Sequence, residues 1–167
     1  MEILESAVVP SNERRMSEMF RQAGWNVLGV DSGASSALPG TFISGMGETQ
    51  VVGEFDCSAL AARMETGVSA VSSRTKAWPG DKTMMDALVP AVEVFRSAAA
   101  AGKSAAIAMD DAAAAPAGAE STRNLVARYG RAKYLGEKIR GCPDVEATSI
   151  ALLFRGFNLA LGIEKEN

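Results

Sequence analysis

Three short stretches of this chain carry residue types suited to holding phosphate. Gly33-Ala34-Ser35-Ser36 is a small-residue turn leading into a helical segment. Small side chains let phosphate oxygens reach backbone N–H groups, and a helix N-terminus favours negative charge. Gly80-Asp81-Lys82-Thr83-Met84 is a second turn at a helix start. There Asp81 or Thr83 can cap the helix, and the Met84 thioether can pack on a planar base. Arg131 stands in a glycine-flanked loop, and a guanidinium meets phosphate oxygens two at a time. Each stretch also has a plainer use. The first serves as an interhelical turn capped by serine. The second serves as a cap with a core methionine. Arg131 can be a surface residue paired with Glu137 or Asp144.

Other chemistry is excluded by composition. The chain has no histidine among its 167 residues. Serine-histidine hydrolysis, cysteine-histidine proteolysis and histidine-ligated zinc are therefore out of reach. Ala101-Gly102-Lys103-Ser104 echoes the end of a phosphate-binding P-loop, but Ser97 stands where that loop needs glycine and no strand precedes it. It reads as a helix end followed by a cap. Cys57 and Cys142 are far apart and read as free thiols. The net charge of −3 offers no electrostatic footprint for nucleic acid. The start of the chain is acidic where a signal peptide would be basic. The longest apolar run, Ile150 to Phe154, is far short of the roughly 20 residues of a membrane span. No membrane partner and a cytoplasmic location are expected.

These residues must be positioned by helices. Hydrophobic residues make up 47% of the chain and aromatics only 6%, and its alanine runs favour helix because alanine loses least entropy there. Residues 1–10 read as a flexible tail and 11–167 as one domain. Ser11 is placed to cap a helix from Asn12 to about Leu28, with Arg14 and Glu18 as an i,i+4 pair. A glycine-interrupted helical segment is expected over Leu38 to Thr49. Asp56 caps a helix ending near Ser73, and a polar loop runs from Arg74 to Asp81. The stripe Met85, Leu88, Val92, Phe95 and Ala99 marks the next helix, kinked at Pro90 and closed by Gly102. Ser104 to Arg128 reads as helix with a kink at Pro116. Gly130 to Asp144 is a polar connection with room for a short helix. Thr148 to Leu161 is apolar nearly all round and is expected to be buried. No strand pattern is present, so the fold class is all-α: an antiparallel barrel or bundle of about six to eight helices.

The same stretches carry a family resemblance. Ser32-Gly33-Ala34-Ser35-Ser36-Ala37-Leu38-Pro39-Gly40-Thr41-Phe42, then Lys76-Ala77-Trp78-Pro79-Gly80-Asp81-Lys82-Thr83-Met84-Met85-Asp86, then Gly130-Arg131-Ala132-Lys133-Tyr134-Leu135-Gly136-Glu137 with Asp144 beyond it, resemble in order and spacing the nucleotide-binding (L) subunit of dihydroxyacetone kinase. The resemblance implies a barrel of eight antiparallel helices with ADP or ATP in the interhelical loops at one end. It implies nucleotide contacts at Ala34, Ser35, Met84, Arg131 and Asp144. It also implies a K-type subunit that holds dihydroxyacetone covalently on its own histidine. Three positions depart from the family pattern: Thr75 replaces a glycine before Lys76, and Val145 and Glu146 replace proline and glycine after Asp144.

The family binds magnesium through closely spaced aspartates upstream of the Gly-Ala-Ser turn. The acids upstream here are Glu2, Glu5, Glu13, Glu18 and Asp31, and none are clustered. Asp31 can offer a single ligand. Magnesium is expected for the family, but its ligands are not identifiable, and a first helix with its metal loop is expected to be missing. Two functions follow. One is an L-type subunit contributing to phosphoryl transfer. The other is a degenerate paralogue acting as a binding or regulatory partner. The oligomeric state, a homodimer included, stays open.

Overall fold

The computed structural model describes residues 11–30, 34–49, 55–114 and 118–163. The tail 1–10, Asp31 to Gly33 and Pro116 lie outside them. Seven α-helices are present among the described residues: α1 (Ser11–Leu28), α2 (Ala34–Met46), α3 (Cys57–Ser72), α4 (Met85–Ala100), α5 (Ala105–Ala114), α6 (Gly118–Ser121) and α7 (Val145–Ile163). Thr122–Asn124 and Arg131–Ile139 are 3-10 turns, the second broken at Gly136. No strand occurs among the described residues, so the all-α expectation holds. No described helix is long and apolar enough to cross a membrane.

Helices α1 to α5 pack each against the next, and α7 rests on α5, α4 and α6. Small residues set the spacing at the first two contacts. A Cβ on Gly24 would lie 2.4 Å from the Ser44 backbone nitrogen, and one on Gly67 would lie 2.7 Å from the Phe42 ring and carbonyl. The core is built from Phe42, Met64, Met85, Leu88, Phe95 and Ile150, all fully buried. The Phe42 and Phe154 rings stack at 6.4 Å and tie α2 to α7.

Local chemistry explains the helix ends. Asp56 accepts from the Ala59 N–H at 2.7 Å and caps α3 as expected. At the end of α4, Gly102 takes φ +74, its N–H bonds Ala99 O, and Lys103 N–H bonds Ala98 O. Those two hydrogen bonds satisfy two of the last carbonyls of α4. Pro90 lies inside α4, which continues to Ala100.

Several expectations are corrected. The helix expected from Ser104 to Arg128 stops early, and Leu125 is extended. Ser121 and Thr122 donate their hydroxyls to Gly118 O and Ala119 O, and such local bonds compete with the helical ladder. Helix α2 begins at Ala34 rather than near Leu38. Glu18 pairs with Arg21 at 3.0 Å instead of with Arg14, because i,i+3 neighbours are equally close on a helix. Helix α7 is buried on one face only: Ala147, Ile150 and Phe154 point inward, while Val145, Leu152 and Leu159 are exposed.

One charged pair sits wholly inside. Arg63 of α3 is fully buried and ion-paired with Glu13 in the first turn of α1. Its guanidinium also donates to Met46 O at 2.9 Å and Ser17 Oγ at 3.1 Å, and lies about 6 Å from the Phe20 and Phe55 rings. One Glu13 oxygen and Arg63 Nε find no partner. A buried pair of this kind is costly to break but gives little net stability over an apolar substitute. Glu13→Ala is expected to cost about 3–5 kcal/mol, while Glu13→Leu with Arg63→Met costs less than that single change. Urea denaturation of the single and double variants checks the order.

Candidate functional site

The candidate site lies where α2, α4 and α7 begin. The loop from α3 to α4 has little regular structure, so its backbone polar groups must find side-chain partners. Asp86, in the first turn of α4, accepts from the N–H groups of Gly80 (2.7 Å) and Thr83 (2.8 Å). Asp81 accepts from Trp78 N–H at 2.8 Å. Thr83 Oγ accepts from Met85 N–H at 3.2 Å in a tight turn, but the N-cap position of α4 is Met84, which has no side-chain cap, so neither of the two expected caps is used. Two residues of the loop take left-handed backbone: Gly80, at φ +104, and Lys82, at φ +59. For a residue with a Cβ that conformation costs roughly 1–2 kcal/mol, so something must hold Lys82 there.

Lys82 is 3% exposed. Its ammonium donates to Thr122 O at 2.7 Å and Cys142 O at 2.6 Å. Charge-assisted bonds of this kind contribute about 1.5–3 kcal/mol each, enough to offset the backbone strain. They join the α3–α4 loop to two segments far along the chain. Thr122 is fully buried, and its hydroxyl accepts from Asp144 N–H at 2.7 Å. Asp144 in turn caps α7 by accepting from Ala147 N–H at 2.8 Å. Arg128 N–H donates to Asp81 O at 3.1 Å and its guanidinium to Asp81 Oδ1 at 3.2 Å. Gly141 and Arg123 exchange two further bonds at 2.7 Å.

A cleft of about 920 Å³ opens between these segments. Its walls come from Ala37 and Leu38 in α2, the loop at Thr75 and Lys82, the start of α4 at Thr83 and Met85, residues 128–134, and Asp144 to Glu146 at the start of α7. The N-terminal turns of three helices therefore face one space, and each brings partial positive charge, while the first N–H groups of α4 and α7 are already taken by Thr83 and Asp144. Arg131 and Lys133 stand on the wall without an ion-pair partner among the described residues. Glu137, one of the two acids open to Arg131, pairs with Arg140 at 2.7 Å instead.

Two carboxylates line the same wall. Burial pushes Asp144 above its ordinary range. The N–H groups of Ala147 and Glu146 oppose that, Asp86 adds to it, and the Lys82 charge opposes it. Burial also raises Glu146; the neighbouring Asp144 raises it further, and Arg131 offsets part of the effect. Among the described residues no group of three or more Cys, Asp or Glu side chains could hold a metal ion. Asp81 and Asp86 already satisfy backbone N–H groups. Magnesium needs several hard oxygen ligands, and the described residues do not fit it.

The structure brings Arg131 and Asp144 together on the cleft wall. Ala34 and Ser35 open α2, and three residues later that helix reaches the cleft at Ala37 and Leu38. Met84, expected against a base, is fully buried in the core cluster behind the wall, because the first turn of α4 turns that position into the bundle. Its neighbour Met85 lines the cleft. Sequence reasoning missed Lys82, Asp86 and Thr122 as site-building residues. The partners of Lys82 are 40 and 60 positions away and that of Thr122 is 22 away, and no local pattern reports such bonds; those of Asp86 are only 6 and 3 positions away. Cys57 and Cys142 are free thiols.

Residues 1–158 match the family model described as the DAK2 domain. The chain is 38% identical over 144 residues to the ADP-binding subunit DhaL of the PEP-dependent dihydroxyacetone kinase of Escherichia coli strain K12, covering 85% of this chain and 69% of that protein. It is 30% identical over 151 residues to the corresponding subunit of dihydroxyacetone kinase 1 of Listeria innocua, covering 90% and 71%. Over 124 residues it is 34% identical to the triokinase/FMN cyclase of Rattus norvegicus, covering 74% of this chain and 21% of that protein.

Asp86 is the support of the α3–α4 loop. Asp86→Ala leaves two backbone N–H groups without their acceptor, at about 1–3 kcal/mol for each buried group. The expected result is a lower midpoint in chemical denaturation, with Asp86→Asn between the two because it keeps one acceptor oxygen. A variant as stable as the parent would show that the carboxylate does not hold the loop.

Proposed function

The chain belongs to the DAK2 domain family, and we propose that it is an L-type subunit of a dihydroxyacetone kinase that binds ADP or ATP in the cleft at the starts of α2, α4 and α7. The convergence of three helix N-termini with the unpaired Arg131 guanidinium carries this reading. That arrangement suits a polyanion with a planar base, and the cleft volume falls within the range of small-ligand sites. The names of the bacterial relatives, as ADP-binding subunits, support it and do not favour a non-catalytic partner.

Backbone N–H groups at Ala34 and Ser35 would take phosphate oxygens at the start of α2. Arg131 would neutralise charge on the phosphates and, during transfer, on the migrating phosphoryl group. Asp144 would fix the opposite edge as the cap of α7. Met84 and Met85 would back the wall against which the base lies. The acceptor, dihydroxyacetone, would be presented by a K-type subunit. The cleft rim offers that partner exposed apolar groups, with Tyr134 at 87% and Val145 at 76% exposure. Magnesium, as a companion of the nucleotide, would need ligands from outside the described residues.

Titration calorimetry with ADP, with and without magnesium, tests the reading. Binding in either condition is expected, and no heat at millimolar nucleotide in both would reject it. Arg131→Ala is expected to weaken ADP by about tenfold or more, from the loss of a charge-assisted bond of roughly 1.5–3 kcal/mol. Glu146 gives a pH signature. Its carboxyl titrates above the ordinary range, because burial and the neighbouring Asp144 disfavour the charged form, and in that charged form it repels a diphosphate. Acidification protonates it sooner than a free glutamate. A raised acid also contributes stability below its ordinary range that is lost as pH rises through the shifted value. Glu146→Gln is therefore expected to bind ADP several-fold tighter at neutral pH, from a repulsion of about 1 kcal/mol. The ratio to the parent should fall to one on acidification, and the titration of ADP itself cancels in that ratio.

A further inference from the structure

We propose that Lys82 is a positioning residue for the nucleotide cleft: its buried ammonium joins three loops and thereby sets where Asp144 and the start of α7 stand. This rests on the nucleotide reading of the same cleft. An ammonium has three N–H donors and no acceptor. Two of those donors reach the carbonyls of Thr122 and Cys142, residues 40 and 60 positions distant, and Lys82 has no carboxylate in ion-pair range among the described residues. A buried charge with no carboxylate in direct contact is costly, and the Asp144 carboxylate acts on it only at longer range. The ammonium is kept here by main-chain oxygens, which places the demand on backbone position rather than on a flexible acid.

The consequence runs through one more bond. Thr122 gives its carbonyl to Lys82 and its hydroxyl oxygen to Asp144 N–H. The segment just before α7 is thus held twice, at Cys142 O by Lys82 and at Asp144 N by Thr122. Gly141 N–H, bound to Arg123 O at 2.7 Å, belongs to the same junction. Removing the ammonium frees this junction while leaving the contacts among α1, α2 and α3 intact. The left-handed backbone at Lys82 keeps the side chain aimed across the loops.

Two variants and two readouts on the full chain test this. In amide exchange without ligand, Lys82→Met is expected to speed exchange at Gly141 and Asp144 at least tenfold, with the amides of α2 and α3 unchanged. In ADP titration the same variant is expected to bind at least tenfold more weakly, and Lys82→Arg, which keeps charge and donors, is expected to recover most of that loss. Amides at Gly141 and Asp144 as protected as in the parent, or ADP affinity in Lys82→Met equal to the parent's, would overturn the proposal. Should Lys82→Met lose the protection of α2 and α3 as well, Thr122→Val decides. It keeps the carbonyl and removes the acceptor for Asp144 N–H, so faster exchange at Asp144 with weaker ADP binding supports the role, and parental behaviour overturns it. If the parent itself binds no ADP, the nucleotide reading fails, and the exchange measurements still judge Lys82 as the organiser of the junction.

Discussion

A charged group taken out of water must find oxygen, and at the cleft end of this bundle that requirement is met by main-chain carbonyls. Lys82 bonds Thr122 O and Cys142 O, so the connections after α3, after α6 and before α7 cannot move independently. Asp86 and Asp81 do the complementary work, supplying acceptors to the N–H groups of Gly80, Thr83 and Trp78. Loops that would otherwise leave polar backbone unsatisfied become a wall of fixed shape. Helices α4 and α7, which follow these loops, then present their first turns to one space beside the start of α2.

The electrostatics of that space are mixed in a way that matters for anion binding. Helix N-termini and Arg131 favour negative charge, while Asp144 and Glu146 oppose it. The Asp144 carboxylate is largely committed, accepting from the N–H groups of Ala147 and Glu146 as the cap of α7. Glu146 is not, and its environment already disfavours its ionised form. The net preference of the cleft is therefore tunable by one carboxyl, at the position where the family resemblance expects glycine.

At the far end of the helices the same physical problem has a different solution. Arg63 is fully buried against Glu13 and two aromatic rings. It joins α1, the end of α2 and α3 through a side-chain ion pair, the Ser17 hydroxyl at 3.1 Å and the carbonyls of Met46 at 2.9 Å and Thr49 at 3.4 Å. The bundle is thus pinned by a charge at each end, and between them by the close approach of α2 and α3 at Gly67, where a methyl group would meet Phe42.

Helix type and order were legible in the residues themselves. Alanine content, the 3.6-residue stripes and strong punctuation at Asp56, Pro79-Gly80 and Gly102 report local energies, and these are properties of short segments. For Arg131 the sequence left two readings open, a phosphate contact and a surface arginine paired with Glu137 or Asp144, and among the described residues it stands on the cleft wall without an ion-pair partner. The early end of the helix beyond Ser121 was not legible, since it depends on Ser121 and Thr122 turning their hydroxyls back on the chain. The one-sided burial of α7 was not legible either, because an apolar sequence does not reveal which neighbours are present to cover it. Met84 and Lys82 sit two positions apart in one motif, yet only the tertiary structure sends the first into the core and the second across to two distant loops. A lysine's position in sequence carries no record of carbonyls 40 and 60 residues away. The residue types available for anion chemistry were set by the sequence alone, and their convergence on one cleft was decided by long-range hydrogen bonds.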